Sequence, residues 1–180
     1  FLFGVNFNIY FLIVIMKDIK TALKSEELKI YLLMYIFAVV FILINTINSF
    51  VNISEALISS FFHVSSVMTS TGYSIGDINI MPTSCRIIVL FLMLVSACAG
   101  STCGGFKISR LLICFKKIKR DILKVVHPNS VRTITFEGKK VEEENVNNVC
   151  TFLFLYVFIM IILMILVSFD GYSFEVIANA

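Results

Sequence analysis

Charge is scarce in this 180-residue chain: Asp, Glu, Lys and Arg make up 15% of it, against 58% hydrophobic residues and a mean hydropathy of +0.94. Soluble domains carry about 25% charged and 45–50% apolar residues, so the composition argues against a water-soluble globular domain and for a membrane protein. With only two Pro and eight Gly the chain is neither collagenous nor low-complexity, and its 18 Phe exclude simple disorder. There is no CxxC pair among the five cysteines, Cys85, Cys98, Cys103, Cys114 and Cys150. Several lie inside apolar runs, where Cys behaves as a small hydrophobe rather than as a disulfide partner or metal ligand. The opening Phe1-Leu2-Phe3-Gly4 lacks a signal peptide's basic n-region. Both ends read as cuts through structural elements, so a piece of a longer protein is expected.

What is present is a series of apolar runs. Residues 1–16 carry no charge, 31–44 continue as an apolar run to about 51, and 149–167 are 19 uncharged residues, near the ~20 needed to cross a bilayer as helix. Ile87 to Ala99 is apolar for only 13 residues, too short to cross unless it continues past Gly100-Ser101-Thr102-Cys103-Gly104-Gly105 toward Phe115. A Gly-interrupted span is a pointer to a functional break in transporters. The alternative is close helix packing, because Ser96, Gly100 and Gly104 form a small-xxx-small row.

Basic residues set the expected topology. Lys17, Lys20, Lys24 and Lys29 lie in one polar stretch and ten more lie between Lys107 and Lys140, which leaves only Arg86 of the 15 elsewhere. By the positive-inside rule both stretches are cytoplasmic. A chain that leaves near residue 30 and returns near 107 crosses an even number of times, and 31–51 and 87–106 supply those crossings. The segment between them, with Ala56, Leu57, Phe61, Val64 and Val67 at helical spacing, is then expected to be a short re-entrant helix. Such backbone is tolerated where protein or a water-filled cavity surrounds it.

That helix is followed by Thr69-Ser70-Thr71-Gly72-Tyr73. A cation crossing a membrane exchanges hydration water for oxygen ligands, which backbone carbonyls can supply. Ser70, Thr71 and Gly72 are the candidate ligands, with Thr69 and Tyr73 as flanks; a plain Ser/Thr-rich turn is the alternative. The helix C-terminus aimed at this point favours a cation. A partial repeat supports the reading: span, Ser49-Phe50 and Ser54-Glu55-Ala56-Leu57-Ile58 are echoed by span, Ser168-Phe169 and Ser173-Phe174-Glu175-Val176-Ile177.

Taken together, Val67-Met68-Thr69-Ser70-Thr71-Gly72-Tyr73 and Ala97-Cys98-Ala99-Gly100-Ser101-Thr102-Cys103-Gly104-Gly105-Phe106-Lys107 resemble the third repeat of the Trk/Ktr/HKT family of potassium transporters, and within it the bacterial TrkH branch. Gly4-Val5-Asn6-Phe7 with Tyr10, Glu26-Glu27-Leu28 with Tyr31, and His127-Pro128 also fit. The resemblance implies an all-α integral membrane fold of helix–re-entrant pore helix–helix units around a central ion pore. On it, residues 1–16 end a transmembrane helix of repeat two, 17–30 form a cytoplasmic loop, and 31–106 form repeat three. Repeat three divides into a span 31–51, a pore helix 54–68, a filter 69–73 and an interrupted span 85–115. Residues 107–148 carry the inner end of that span and a cytoplasmic linker. Repeat four starts at 149–180, with a span 149–168 and the beginning of a pore helix at 173–180.

The implied function is gated potassium uptake across the bacterial plasma (inner) membrane. The filter would be Thr69, Ser70, Thr71, Gly72 and Tyr73, and the gate Ala99, Gly100, Ser101, Thr102, Cys103, Gly104 and Gly105. Phe106 and Cys103 depart from the family's usual Ile and Ala or Ser. The resemblance also implies a homodimer and a cytosolic nucleotide-binding regulatory subunit. The basic stretch 107–124 would face that subunit, or else anionic lipid. No enzyme, no covalently bound cofactor, no nucleic-acid partner and no metal beyond the transported monovalent cation are expected. Sodium or non-selective cation transport, and a non-conducting membrane receptor or scaffold, are the rival functions.

Other features carry less. Gly100 to Lys107 lacks the Gly-Lys adjacency of a phosphate-binding P-loop. His63 reads as a satisfied polar group on the pore helix, and Asp77 as solvated loop charge. Residues 131–136 alternate before Glu137-Gly138, which suggests a small hairpin, and Glu142 to Glu144 suit a helix N-terminus.

Overall fold

A computed structural model describes residues 1–17, 19–47, 50, 52–73, 81–127, 133–169 and 171. The described chain is mostly helical and divides into two compact units, Phe1–Ser109 and Arg110–Ala180.

The first unit opens with a 3-10 turn, Leu2–Gly4, and helix α1, Phe7–Val14. Residues 1–16 are therefore not the end of one continuous helix. The chain is extended at Val5, and the Asn6 side chain restarts it by accepting from the Asn8 amide at 2.9 Å. The stretch expected as the loop 17–30 is partly helical. It contains helix α2, Ile19–Lys24, and the first turn of helix α3, Glu26–Thr46. Ser25 caps α3 by accepting from the Leu28 amide at 3.3 Å, and Glu26 and Glu27 occupy the first turn, where negative charge is favoured. At 1.5 Å per residue α3 is about 32 Å long, enough to cross a bilayer's hydrocarbon. It ends at Thr46, short of the expected 51; residues 48, 49 and 51 lie outside the described residues.

Helix α4, Ile53–Met68, starts one residue before the expected pore helix and packs against α3. Tyr35 of α3 fixes that contact through a 2.8 Å hydrogen bond with the Ser65 hydroxyl. The buried face of α4 carries Ala56, Ser59, Ser60, His63, Val64, Ser66 and Met68, while Ile53, Leu57, Ile58, Phe61 and Phe62 are exposed. Polar side chains face protein and large apolar ones face outward, the reverse of a helix on a water-soluble domain.

Helix α5, Thr83–Leu94, packs on α3 and α4 and is about 18 Å long by residue count, too short to span. Within the stretch expected as an interrupted span, 85–115, the backbone leaves helix from 95 to 107. Two-residue strands β1, Val95–Ser96, and β2, Phe106–Lys107, pair in parallel across the break, with Val95 opposite Phe106. Helix α6, Ile108–Val126, then runs past the expected end at 115. Because the backbone leaves helix at Val95, Ser96, Gly100 and Gly104 form no row on a helix face. The strands are an addition to the all-helical expectation.

In the second unit, β3, Thr135–Phe136, and β4, Lys139–Lys140, pair antiparallel. Their turn residues Glu137 (φ 51°) and Gly138 (φ 74°) are both left-handed, the geometry of a tight hairpin turn. The expected hairpin exists, although residues 131 and 132 lie outside the described residues. Lys116 donates to the Thr135 carbonyl at 2.7 Å, and Lys117 to Asn147 at 2.9 Å. The Arg120 guanidinium meets the Glu143 carboxylate, which holds it above its ordinary pKa. Helix α7, Glu143–Ser168, has Glu142 as its N-cap residue. It is about 39 Å long, and from Phe152 to Leu166 it exposes most of its large apolar side chains. The expected second pore helix at 173–180 lies outside the described residues.

Candidate functional site

Two stretches of the first unit carry the sequence candidates. The first begins where α4 stops. The Ser70 amide donates to the Val67 carbonyl and the Thr71 amide to the Ser66 carbonyl, at 3.0 and 2.9 Å. With Ser70 at φ 53° these two bonds make a Schellman cap, the helix ending that glycine usually supplies. Thr69 adds hydroxyl bonds to the Ser65 carbonyl and to Thr71, both 2.7 Å. Thr69 and Ser70 thus belong to a capping turn, and the Thr71 and Gly72 amides are also drawn back to the Ser66 carbonyl, at 2.9 and 3.5 Å. This differs from one extended segment over 69–73, because the last carbonyls of α4 recruit the following amides.

Ser70, Thr71, Gly72 and Tyr73 are exposed, Tyr73 at 72%. Gly72 sits at φ 78° with open space around its α-carbon. Just beneath, the buried Ser66 hydroxyl lacks a hydrogen-bond partner among the described residues. Ser70→Gly is expected to stabilise the protein by about 1 kcal/mol by relieving the left-handed strain at this cap, read as a rise in Tm. An unchanged or lower Tm would contradict the capping geometry.

The second stretch is the break between α5 and α6. Between the paired strands the chain makes an excursion over 97–105. Gly100 turns it at φ 70°, and the Ser101 amide and hydroxyl both return to the Cys98 carbonyl, at 3.3 and 2.6 Å. Lys107 bonds the Cys103 carbonyl and lies 3.3 Å from the Ser101 hydroxyl, closing the excursion from its far side. The N-terminal segment braces it: the Cys98 amide donates to the Gly4 carbonyl at 3.0 Å, and the Phe7 amide to the Gly100 carbonyl at 3.2 Å. Cys98, Cys103 and Phe106 are buried, while Gly100, Thr102, Gly104 and Gly105 are exposed and Ala99 and Ser101 are half-buried. The cysteines are free thiols.

The structure brings Ala99 to Gly105 together as one braced loop and keeps Thr69 to Tyr73 as a separate turn, exposed from Ser70 onward. Sequence reasoning missed Glu27. Its carboxylate is buried, and one oxygen accepts from the Ala99 amide at 2.6 Å and the Ser109 amide at 3.2 Å. The signal was a Ser-Glu-Glu helix start at Ser25, which places Glu27 inside a helix rather than in a loop. Asn6 was likewise noted only as part of a motif.

Helices α3 and α7 are each long and apolar enough to cross a membrane, and the large apolar side chains turned outward on α3, α4 and α7 suit lipid or further protein rather than water. The class so defined is a mostly helical membrane protein with one helix broken mid-course. The chain belongs to the TrkH family, described as cation transport proteins, which matches residues 2–178. It is 29% identical over 176 residues to the Trk system potassium uptake protein TrkG of Escherichia coli K12, covering 94% of this chain and 35% of that protein. With TrkH of the same strain it shares 28% over 153 residues, 83% of this chain and 31% of that protein. The chain thus spans about a third of the length of these relatives. The solved structure of the potassium transporter TrkH from Vibrio parahaemolyticus matches 99% of this chain and 41% of that one at a TM-score of 0.86. At 21% identity that likeness establishes the fold.

Proposed function

We propose that this chain forms part of a potassium-uptake pore, contributing one carbonyl-lined filter strand at Thr69 to Tyr73 and an intramembrane gate at Ala99 to Gly105. The observation that carries the proposal is the family match across residues 2–178, which includes both stretches; the relatives named above are potassium uptake proteins. Geometry supports it. Gly72 provides left-handed backbone in an exposed turn at a helix C-terminus, where the helix dipole favours a cation. The braced excursion over 97–105 is irregular backbone that directly follows the apolar helix α5, as suits a segment lining water.

On this reading, the pore is built from repeated helix–pore helix–helix units and works in the inner membrane as a homodimer. The segments around 17–30 and 107–148 face the cytoplasm. A cytosolic nucleotide-binding regulatory subunit approaches the basic part of α6, and the pore is a conduit rather than an enzyme. The test is potassium and sodium flux through the full-length protein in vesicles. Potassium flux exceeding sodium flux is the expected result. Equal flux would keep the pore and remove its potassium selectivity, and no flux with the regulator present would favour a scaffold.

A further inference from the structure

A carboxylate buried on the first turn of a helix is an unusual partner for backbone amides on another segment. Glu27 is 4% exposed, and burying an ionised carboxylate without hydrogen bonds is costly. Its partners come from both flanks of the break: Ala99 where the excursion begins, and Ser109 on the first turn of α6 after it ends. Side-chain bonds from Asn6 and Ser109 reach the same carboxylate. Neither flank amide has an intrahelical acceptor of its own, since Ala99 lies outside helix and Ser109 lies in the first turn of one.

We propose that Glu27 is the positioning residue of the break, a single acceptor that clamps its two flanks to each other and to the N-terminal turn of α3. The clamp joins the excursion to the α2–α3 corner, so a displacement of that corner moves both flanks at once. Its functional consequence rests on the pore reading above; the clamp itself does not. Removing the acceptor leaves two inward-facing amides unsatisfied and loosens the excursion. Cys103, buried within it, is a built-in reporter of that loosening.

The test uses the full-length protein in vesicles without regulator, reading N-ethylmaleimide modification of Cys103 by peptide mass spectrometry alongside potassium flux. Glu27→Gln keeps a carbonyl oxygen where both amides donate. Glu27→Met keeps the volume without the acceptor, and Glu27→Asp keeps the charge but falls one methylene short. Cys103 in the Gln variant is expected to react at the wild-type rate. The Met and Asp variants are expected to react about tenfold faster or more, the factor for losing a hydrogen bond to a charged group, with a matching rise in unregulated flux. Wild-type reactivity in a correctly eluting Met variant, or Gln and Asp variants reacting alike, would overturn the clamp; the Gln and Asp pair decides if the Met variant does not fold. Faster Cys103 modification in a protein that never conducts would uphold the clamp and remove the pore.

Discussion

Gly100→Ala is expected to open the unregulated pore, and Gly104→Ala to leave it closed. The two glycines lie in the same loop but in different circumstances. Gly100 has φ +70°, and a Cβ there would lie 3.0 Å from the Asn6 side-chain oxygen. Gly104 has nothing within 4 Å. Left-handed backbone costs a residue with a Cβ about 1–2 kcal/mol, and the bond from the Phe7 amide to the Gly100 carbonyl adds about 1 kcal/mol if it is lost. Both penalties fall on the braced arrangement alone. With 1.4 kcal/mol to each factor of ten, the equilibrium shifts away from it by about ten- to a hundredfold. Unregulated potassium flux in vesicles should rise accordingly in the Gly100 variant. Equal flux in both variants would show that the brace between the N-terminal segment and the loop does not hold the gate.

The second large effect is expected at the other stretch. Gly72→Ser should reduce discrimination between potassium and sodium while leaving the protein folded. Space is open at Gly72, so no clash results; the penalty arises from φ +78° alone and is about 1–2 kcal/mol. Relieving it rotates the peptide groups on either side and so reorients the carbonyls of Thr71 and Gly72. Carbonyl orientation is what replaces an ion's hydration shell, so a selectivity ratio falling by about tenfold matches that penalty. Unchanged selectivity with unchanged Tm would mean that the turn at Thr71 to Tyr73 does not touch the ion.

Much of the architecture was legible because hydropathy and charge act over long stretches. Fourteen of the 15 basic residues fall in two blocks, and the apolar runs between them are too short or too long to be anything but helices near a membrane. The broken helix was legible for the same reason, since 13 apolar residues cannot span and a Gly-rich stretch follows them. Helix ends were less legible. Ser25 moves the start of α3 into the expected loop, and Asn6 divides what reads as one apolar run. Both act through single side-chain hydrogen bonds to amides two or three residues away, too local for a hydropathy pattern to register.

Contacts distant in sequence left no trace in any pattern. The Glu27 bonds to Ala99 and Ser109, and the Gly4 and Gly100 carbonyl bonds, link segments far apart in the chain. Even the parallel pairing of Val95 with Phe106 has no sequence signature at two residues per strand. For the candidate filter stretch, composition drew attention to residues 69–73 but carried no conformation. Its Ser-Thr-Gly composition suggested carbonyl ligands and gave no sign that the Ser70 and Thr71 amides would cap α4.

The central claim is that a monovalent cation is held by the backbone after α4, and ion-replacement crystallography tests it most directly. Crystals of the full-length protein grown with thallium or rubidium in place of potassium would show the ion by anomalous scattering. The account predicts a peak in contact with the carbonyl oxygens of Thr71 and Gly72, weakened by sodium exchange and lost in Gly72→Ser. Anomalous peaks confined to acidic side chains, with none beside that turn, would contradict it.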